Sequence, residues 1–135
     1  MKGLSVRQPW ATLILRAGKD IENRTWPTRA RGWVLLHAFQ DAGDFMAMHC
    51  LSWCGLAPVE FPKGAILGAM KIDGCVTESK SPWFVGPYGY IIAETRIFAK
   101  PIPYTGALGF FNVELSPELG VQIQLANLHN IRWAA

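Results

Sequence analysis

The chain has 135 residues, half of them hydrophobic and 17% charged, and carries a net charge of +3 at neutral pH. That length suits a single domain over residues 1–135, and that composition excludes a disordered chain. Because no apolar run reaches the roughly 18–20 residues of a membrane helix, and because Arg7 and Arg16 interrupt any signal peptide, we expect a cytoplasmic protein with no membrane partner.

The segment "GLSVRQPWATLILRAGK" predicts a short strand followed by a helix. Pro9 suits the first helical turn, where its missing N–H is not needed, and Gly18 suits the position just beyond the helix end. The i, i+3, i+4, i+7 spacing of a buried helix face is met by Trp10, Leu13, Ile14 and Ala17. A helix of about two and a half turns is therefore expected here.

The next segments predict two strands and a second helix. Alternation along "DIENRTW" places Glu22, Arg24 and Trp26 on one face of a strand. "WVLLHA" at 33–38 predicts a strand that is buried on both faces. "DAGDFMAMHCLSWCGL" at 41–56 predicts a second helix, which either Asp41 or Asp44 could cap.

The second half of the chain is strand-like and is interrupted by glycine and proline. "AILGAMKIDGCVTES", "YGYIIAETRIFAKPIPY" and "GALGFFNVEL" each predict a strand. The tail "VQIQLANLHNIRW" fits either a strand or a helix. The expected fold is therefore mainly β (α+β), a small β-barrel with two or more flanking helices.

Three cysteines, Cys50, Cys54 and Cys75, are an odd number, which argues against a disulfide scaffold. With His49 they could be imagined as a zinc site, but the closely spaced cysteine pairs of structural zinc sites are missing. Free buried cysteine is the favoured interpretation. We expect no metal and no cofactor.

Positive charge is concentrated at the start of the chain. Residues 1–31 hold seven basic and two acidic side chains, whereas residues 32–135 hold six basic and eight acidic ones. An anionic partner such as a nucleotide or RNA would explain this distribution. A solvated basic surface without a partner is the alternative that charge alone favours.

Three stretches together carry a resemblance to a known family. They are "LSVRQPWATLIL", "GKDIENRTWPTRARGWVLLHA" and "WFVGPYGYIIAETRIFAKPIPYTGALGFFNV", and they span residues 4–113. This set resembles the ASCH domain (activating signal cointegrator homology), a branch of the PUA-like superfamily. The resemblance implies a PUA-like β-barrel with flanking helices, a cleft between barrel and helix, and recognition of nucleic acid or a nucleoside.

One subgroup of ASCH proteins hydrolyses the amide of N(4)-acetylcytidine with a lysine, a threonine and a glutamate. The lysine corresponds to Lys19, and the threonine falls where this chain has Glu22. The glutamate of that subgroup is not carried over to any residue here. The resemblance therefore implies a hydrolase whose polar groups differ from those of the subgroup.

Amide hydrolysis needs a nucleophile, a base and donors for the developing oxyanion. Lys19 could be the base with Glu22 orienting it, or Glu22 could be the base with Lys19 stabilising the oxyanion. Tyr88 is a further catalytic candidate because of its hydroxyl. Ser5, Thr12 and Thr25 are candidate nucleophiles, and the sequence does not rank them.

The same region supplies candidates for binding a base and its phosphates. The substrate-binding candidates are Ser5, Arg7, Trp10, Arg24, Trp26, His37, Trp83 and Tyr90. The spacing of Trp10 and Trp33 favours a core position, Trp26 and Trp83 fit core and cleft equally well, and a core or rim position is favoured for His37.

The charged residues of "GKDIENRTW", Lys19, Asp20, Glu22 and Arg24, also have a purely structural interpretation. Glu22 could form an exposed ion pair with Arg24 or Lys19 on the rim of the barrel. The leading hypothesis is metal-free hydrolysis of the exocyclic amide of an N4-acylated cytidine, as nucleoside or in RNA. The alternatives are a non-catalytic reader of RNA or of a modified base, and a protein-interaction adaptor.

Overall fold

The computed structural model describes residues 1–42, 55 and 61–135, which form a curled β-sheet with two helices. The strands are β1 (Lys2–Gln8), β2 (Ile21–Arg24), β3 (Gly32–Ala42), β4 (Ala65–Val76), β5 (Tyr88–Pro103) and β6 (Phe110–Asn112). The helices are α1 (Trp10–Arg16) and α2 (Pro117–Leu125). This confirms the expected PUA-like α+β fold, with the sheet curled into a half-barrel.

The order of strands in the sheet is β2-β5-β4-β3-β1-β6. All neighbours run antiparallel except β1 and β3, which are parallel and are connected through α1 and β2. The curl brings the β2 end of the sheet towards its β1–β6 end, where the rings of Tyr90 and Phe110 stack at 6.1 Å. We call this junction between β2 and β1–β6 the seam.

Two apolar clusters cover the two faces of the sheet. One lies inside the curl, where Leu4, Leu36 and Met70 pack with residues of α1. The other covers the opposite face and includes Leu119 and Ile123 of α2. Alternation of side chains along β3 and β4 divides each of these strands between the two clusters.

The first helix ends as predicted, with Ala17 as its C-cap and Gly18 following at φ +71. Pro9 occupies the N-cap position, one residue before the predicted first turn. The strand in "DIENRTW" is shorter than predicted because it ends at Arg24. The ambiguous tail is helical only at residues 121–125, which end helix α2, while Trp133 forms an isolated bridge with Trp33. Ser116 caps α2 by accepting from the N–H of Leu119 at 3.2 Å.

For the predicted helix at 41–56, a start at Asp41 is wrong, because residues 41–42 belong to strand β3. The rest of that prediction falls on residues 43–54 and 56, of which only Gly55 is described. In the part of the chain that the structure describes, no helix has the length and apolar character needed to cross a bilayer.

Candidate functional site

A cavity of about 600 Å³ lies at the seam, and we call it the seam cavity. Eight of the eleven predicted site residues line it, namely Ser5, Arg7, Trp10, Lys19, Glu22, Arg24, Trp26 and Trp83. Its other lining residues are Asn23, Phe39, Pro82, Val85, Leu108 and Gly109. This volume is in the range of small-molecule sites, about 300–1,000 Å³.

The polar floor of the cavity is a carboxylate held between two cations. Glu22 Oε1 lies 3.3 Å from Lys19 Nζ, and Glu22 Oε2 accepts a 3.0 Å hydrogen bond from Arg24 Nε. Strand alternation explains why Glu22 and Arg24 meet, since residues two apart share a face. Lys19 and Glu22 are only 3% and 7% exposed, so the interpretation as an exposed rim ion pair is wrong.

Lys19 reaches the cavity from the turn that follows α1. Its backbone N–H donates to the carbonyl of Leu13, and its ammonium donates to the carbonyl of Ile21 as well as to Glu22. The ammonium also lies 5.7 Å from the ring centre of Trp10. Burial lowers the pKa of Lys19 below 10.5, and the neighbouring Glu22 carboxylate opposes that shift.

The loop that carries Trp83 is held by Asn23, a lining residue that the sequence analysis did not single out. The side chain of Asn23 donates to the carbonyl of Trp83 at 3.0 Å and accepts from the amides of Val85 and Gly86 at 2.8 and 3.0 Å. These three bonds hold the loop that carries Trp83. An asparagine that alternates with charged residues in a short strand was the available signal, since its side chain can satisfy loop backbone groups.

The mouth of the cavity is apolar and open to solvent. Trp26 is 48% exposed, and Val85 and Leu108, which also line the cavity, are 82% and 85% exposed. Arg7 is also exposed at this site. A ligand could therefore contact buried charge at the floor and apolar surface at the rim.

Neither of the two predicted tyrosines, Tyr88 and Tyr90, lines the cavity. Tyr90 is fully buried, and its hydroxyl donates to the carbonyl of Trp26 at 2.9 Å. Burial raises the pKa of Tyr90 above 10.0. Tyr88 lies opposite Arg24 in the β2–β5 ladder but is outside the cavity lining. Tyr90 therefore contributes to the site indirectly, through its hydrogen bond to the backbone of Trp26.

His37 is buried and lies behind Ser5. Its Nδ1 is 3.1 Å from Ser5 Oγ, and its Nε2 is 2.7 Å from the carbonyl oxygen of Tyr104. Burial lowers the pKa of His37 below 6.5, which favours the neutral ring. His37 lines a second cavity, of about 680 Å³, together with Tyr104 and Gly106, and not the seam cavity itself.

The tryptophans divide between core and cavity. Trp33 is buried as expected, at 5% exposure. Trp10 packs against the apolar cluster inside the curl and also lines the cavity. The predicted core position is therefore only part of its role. Trp26 and Trp83 both line the cavity.

Among the residues described, no three His, Cys, Asp or Glu side chains are grouped so that they could hold a metal ion. Cys75 is a half-buried free thiol. His49, Cys50 and Cys54 lie outside the described residues, so the imagined zinc site with Cys75 is not tested.

Comparison with known proteins matches the ASCH domain family model to residues 4–85, which is more than half of the chain. Activating signal cointegrator 1 of Homo sapiens is 32% identical over 85 residues, and the Mus musculus protein of that name is 29% identical over 85 residues. Each alignment covers 57% of this chain and 15% of the relative. The chain therefore corresponds to a small part of the length of these relatives.

Proposed function

Because the chain belongs to the ASCH domain family, we propose that the seam cavity binds a nucleobase and hydrolyses the exocyclic amide of an N4-acylated cytidine. The observation that carries this proposal is the buried ion group of Lys19, Glu22 and Arg24 within aromatic walls. Trp26 and Trp83 both line this cavity, and every base offers a face on which an aromatic side chain can stack. The buried charges then face the polar edge of that base.

The contacts favour one of the two possible divisions of roles. Both oxygens of Glu22 are occupied by cations, so this carboxylate serves to hold Lys19 and Arg24 in place. Lys19 has a lowered pKa, which suits a group that exchanges a proton with the reacting amide. Arg24 retains further N–H donors, which can stabilise the oxyanion of the tetrahedral intermediate.

The direct test is to incubate purified protein with N(4)-acetylcytidine and EDTA and to follow cytidine by chromatography. The proposal expects turnover by wild type and a loss of turnover in Lys19→Ala and Glu22→Ala. Lys71→Ala and Glu94→Ala are matched controls, because these residues form a comparable pair on the exposed surface. Absence of turnover by folded wild-type protein would reject hydrolysis of this substrate.

A non-catalytic reader of RNA or of a modified base is the second candidate. The exposed Trp26 at the mouth, with the exposed Arg7 nearby, favours it, because single-stranded RNA is bound through stacking and phosphate contacts. A reader would bind single-stranded RNA with an affinity that falls steeply from low to high salt, and would leave N(4)-acetylcytidine unchanged. Titration of RNA at two salt concentrations with Arg7→Ala and Trp26→Ala distinguishes this candidate.

A protein-interaction adaptor is the third candidate, and the relatives named as signal cointegrators suggest it. Leu115, Val121 and Leu125 in and before α2 are 53–65% exposed and provide an apolar surface for a partner. An adaptor would show neither turnover nor RNA binding in the two assays above.

A further inference from the structure

The hydroxyl groups of this protein are unequally placed with respect to the seam cavity. Among the described residues that line the cavity, Ser5 is the one that carries a hydroxyl or a thiol. Thr12 is buried within α1, and Thr25 is exposed beyond the end of β2. Neither of these two threonines lines the cavity. Of the three candidate nucleophiles that the sequence left equal, Ser5 is therefore the one that lines the cavity.

The partners of His37 determine which of its nitrogens carries the proton. The carbonyl oxygen of Tyr104 can only accept, so the Nε2–H of His37 donates to it over 2.7 Å. In the neutral ring Nδ1 is then an acceptor, and the hydroxyl of Ser5 donates to it over 3.1 Å. The Ser5 hydroxyl, the His37 imidazole and the Tyr104 carbonyl thus form a hydrogen-bonded chain. A hydroxyl, a base and an orienting group in such a chain are the arrangement that activates serine in hydrolases.

The surroundings of His37 keep its ring neutral and oriented. The rings of Phe39 and Phe111 meet it edge-on, with centroids 6.5 and 5.7 Å away. Burial is the main cause of its lowered pKa. A neutral imidazole is the form that can take a proton from a serine.

Both sides of the Ser5–His37 pair are closely constrained. A Cβ added to Gly106 would lie 2.5 Å from the ring of His37 and 2.6 Å from Ser5 Oγ, so the backbone of this loop covers the pair without a side chain. The carbonyl of Ser5 is held by Arg24 at 2.6 Å. Ser5 is therefore held between His37, through its hydroxyl, and Arg24, through its carbonyl.

We propose that Ser5 is the nucleophile of the seam cavity and that His37 is its general base, an inference that rests on the proposed amide hydrolysis for its substrate. Ser5 Oγ forms a bond to the acyl carbon while its proton passes to His37 Nδ1. The bond from the acyl carbon to N4 then breaks, and the proton passes from His37 to N4, which leaves as the amino group of cytidine.

The second half of the reaction restores the serine. Water attacks the acyl–serine ester and gives a proton to His37, the ester bond breaks, and Ser5 Oγ recovers the proton as the carboxylic acid leaves. In this scheme His37 carries the proton that "Proposed function" assigned to Lys19. Lys19 and Arg24, which line the same cavity, then provide donors for the oxyanion of both steps.

The test uses a small fluorophosphonate, which an activated serine attacks at phosphorus with loss of fluoride, and locates the adduct by peptide mass spectrometry. We expect an adduct on Ser5 of the wild type, none in Ser5→Ala, and an unchanged rate in Thr25→Ala, whose hydroxyl lies outside the cavity. In His37→Asn we expect labelling to be about a hundredfold slower, because general-base catalysis contributes that much or more. A melting temperature close to that of wild type would separate this loss from unfolding.

A second measurement follows N(4)-acetylcytidine and the mass of the quenched protein, which should rise by one acetyl group on Ser5 during turnover. Ser5→Cys keeps a nucleophile at the same place and should still form an acetyl-enzyme. Labelling of Ser5 that depends on His37, without hydrolysis of this substrate, would reject the proposed substrate and leave the nucleophile standing. Hydrolysis that survives in Ser5→Ala, or absence of any adduct on Ser5 of wild type, would overturn the inference about Ser5.

Discussion

Arg24 on β2 donates a 2.6 Å hydrogen bond to the carbonyl oxygen of Ser5 on β1, and this bond joins the two strands across the seam. β6 pairs only with residues 2–4 of β1, so the Ser5 carbonyl lies just beyond the end of that ladder. The same guanidinium holds Glu22 at 3.0 Å. One side chain therefore links the closure of the half-barrel to the charged floor of the cavity.

Arg24→Lys should weaken the seam although it keeps the positive charge. A lysine is a point charge on a flexible stem, and it cannot reproduce the fixed fork that reaches Glu22 and Ser5 together. We expect a loss of about 1.5–3 kcal/mol in the free energy of unfolding, the range for hydrogen bonds to charged groups. Urea denaturation measures it, with Arg96→Lys as the control on the exposed surface. Equal midpoints for the two variants would contradict this role of Arg24.

Glu22 and Glu94 form a natural matched pair, because each carboxylate lies between two cations. Glu22 is buried at 3.0–3.3 Å from its partners, whereas Glu94 is half exposed at 3.6–3.7 Å from Lys71 and Arg96. Glu22→Ala leaves buried charges uncompensated and should cost about 3–5 kcal/mol in unfolding free energy. Glu94→Ala should cost about 0–1 kcal/mol. Similar losses in the two variants would mean that the Glu22 site is solvated.

The stability of the protein should depend on pH through Lys19. Its pKa is lowered in the folded state, so between that value and 10.5 the unfolded chain binds more protons than the folded one. Stability therefore rises with pH in this window, because the cost of burying a charged ammonium disappears. Lys19→Met should lack this rise, and Lys71→Met should keep it. Urea denaturation from neutral to alkaline pH tests this, and parallel curves for wild type and Lys19→Met would refute it.

Trp26→Ala should weaken the binding of a cytidine ligand or of single-stranded RNA while leaving stability nearly unchanged. Stacking of one base on an aromatic side chain contributes about 1–3 kcal/mol, which corresponds to a roughly fivefold to hundredfold loss of affinity. Isothermal titration calorimetry measures the change. Leu115→Ala is the control, because Leu115 is similarly exposed at 62% but does not line the seam cavity. Equal affinity in both variants would place the base elsewhere.

Gly106→Ala should disturb the Ser5–His37 pair, because the added carbon would lie within 2.6 Å of both side chains. We expect a loss of about 1–3 kcal/mol of stability from overpacking, together with a loss of fluorophosphonate labelling. Gly120→Ala is the control, for which we expect a change of stability in the opposite direction. Its added carbon meets Leu115 at 3.9 Å in helix α2, so it should stabilise by about 0.5–1 kcal/mol. Differential scanning calorimetry distinguishes the two, and equal shifts would contradict the close approach at Gly106.

Local periodicity in the sequence determined the elements and part of the site. Apolar spacing predicted α1 and Gly18 marked its end, while alternation in "DIENRTW" placed Glu22 and Arg24 on one face. These predictions succeed because they concern residues within one or two turns or within one strand. The same reasoning failed at residues 41–42, where strand pairing extends β3 beyond the apolar run.

Only the tertiary structure decided which residues contact the charged side chains of Lys19, Glu22 and Arg24. The burial of the Lys19–Glu22 pair, the bond from Arg24 to Ser5 and the exclusion of Tyr88 from the cavity depend on how the sheet curls. The hydrogen bonds of Asn23 to the loop at 83–86 join residues about sixty positions apart. Such contacts follow from strand order and register over the whole sheet, and no local pattern of residues determines these.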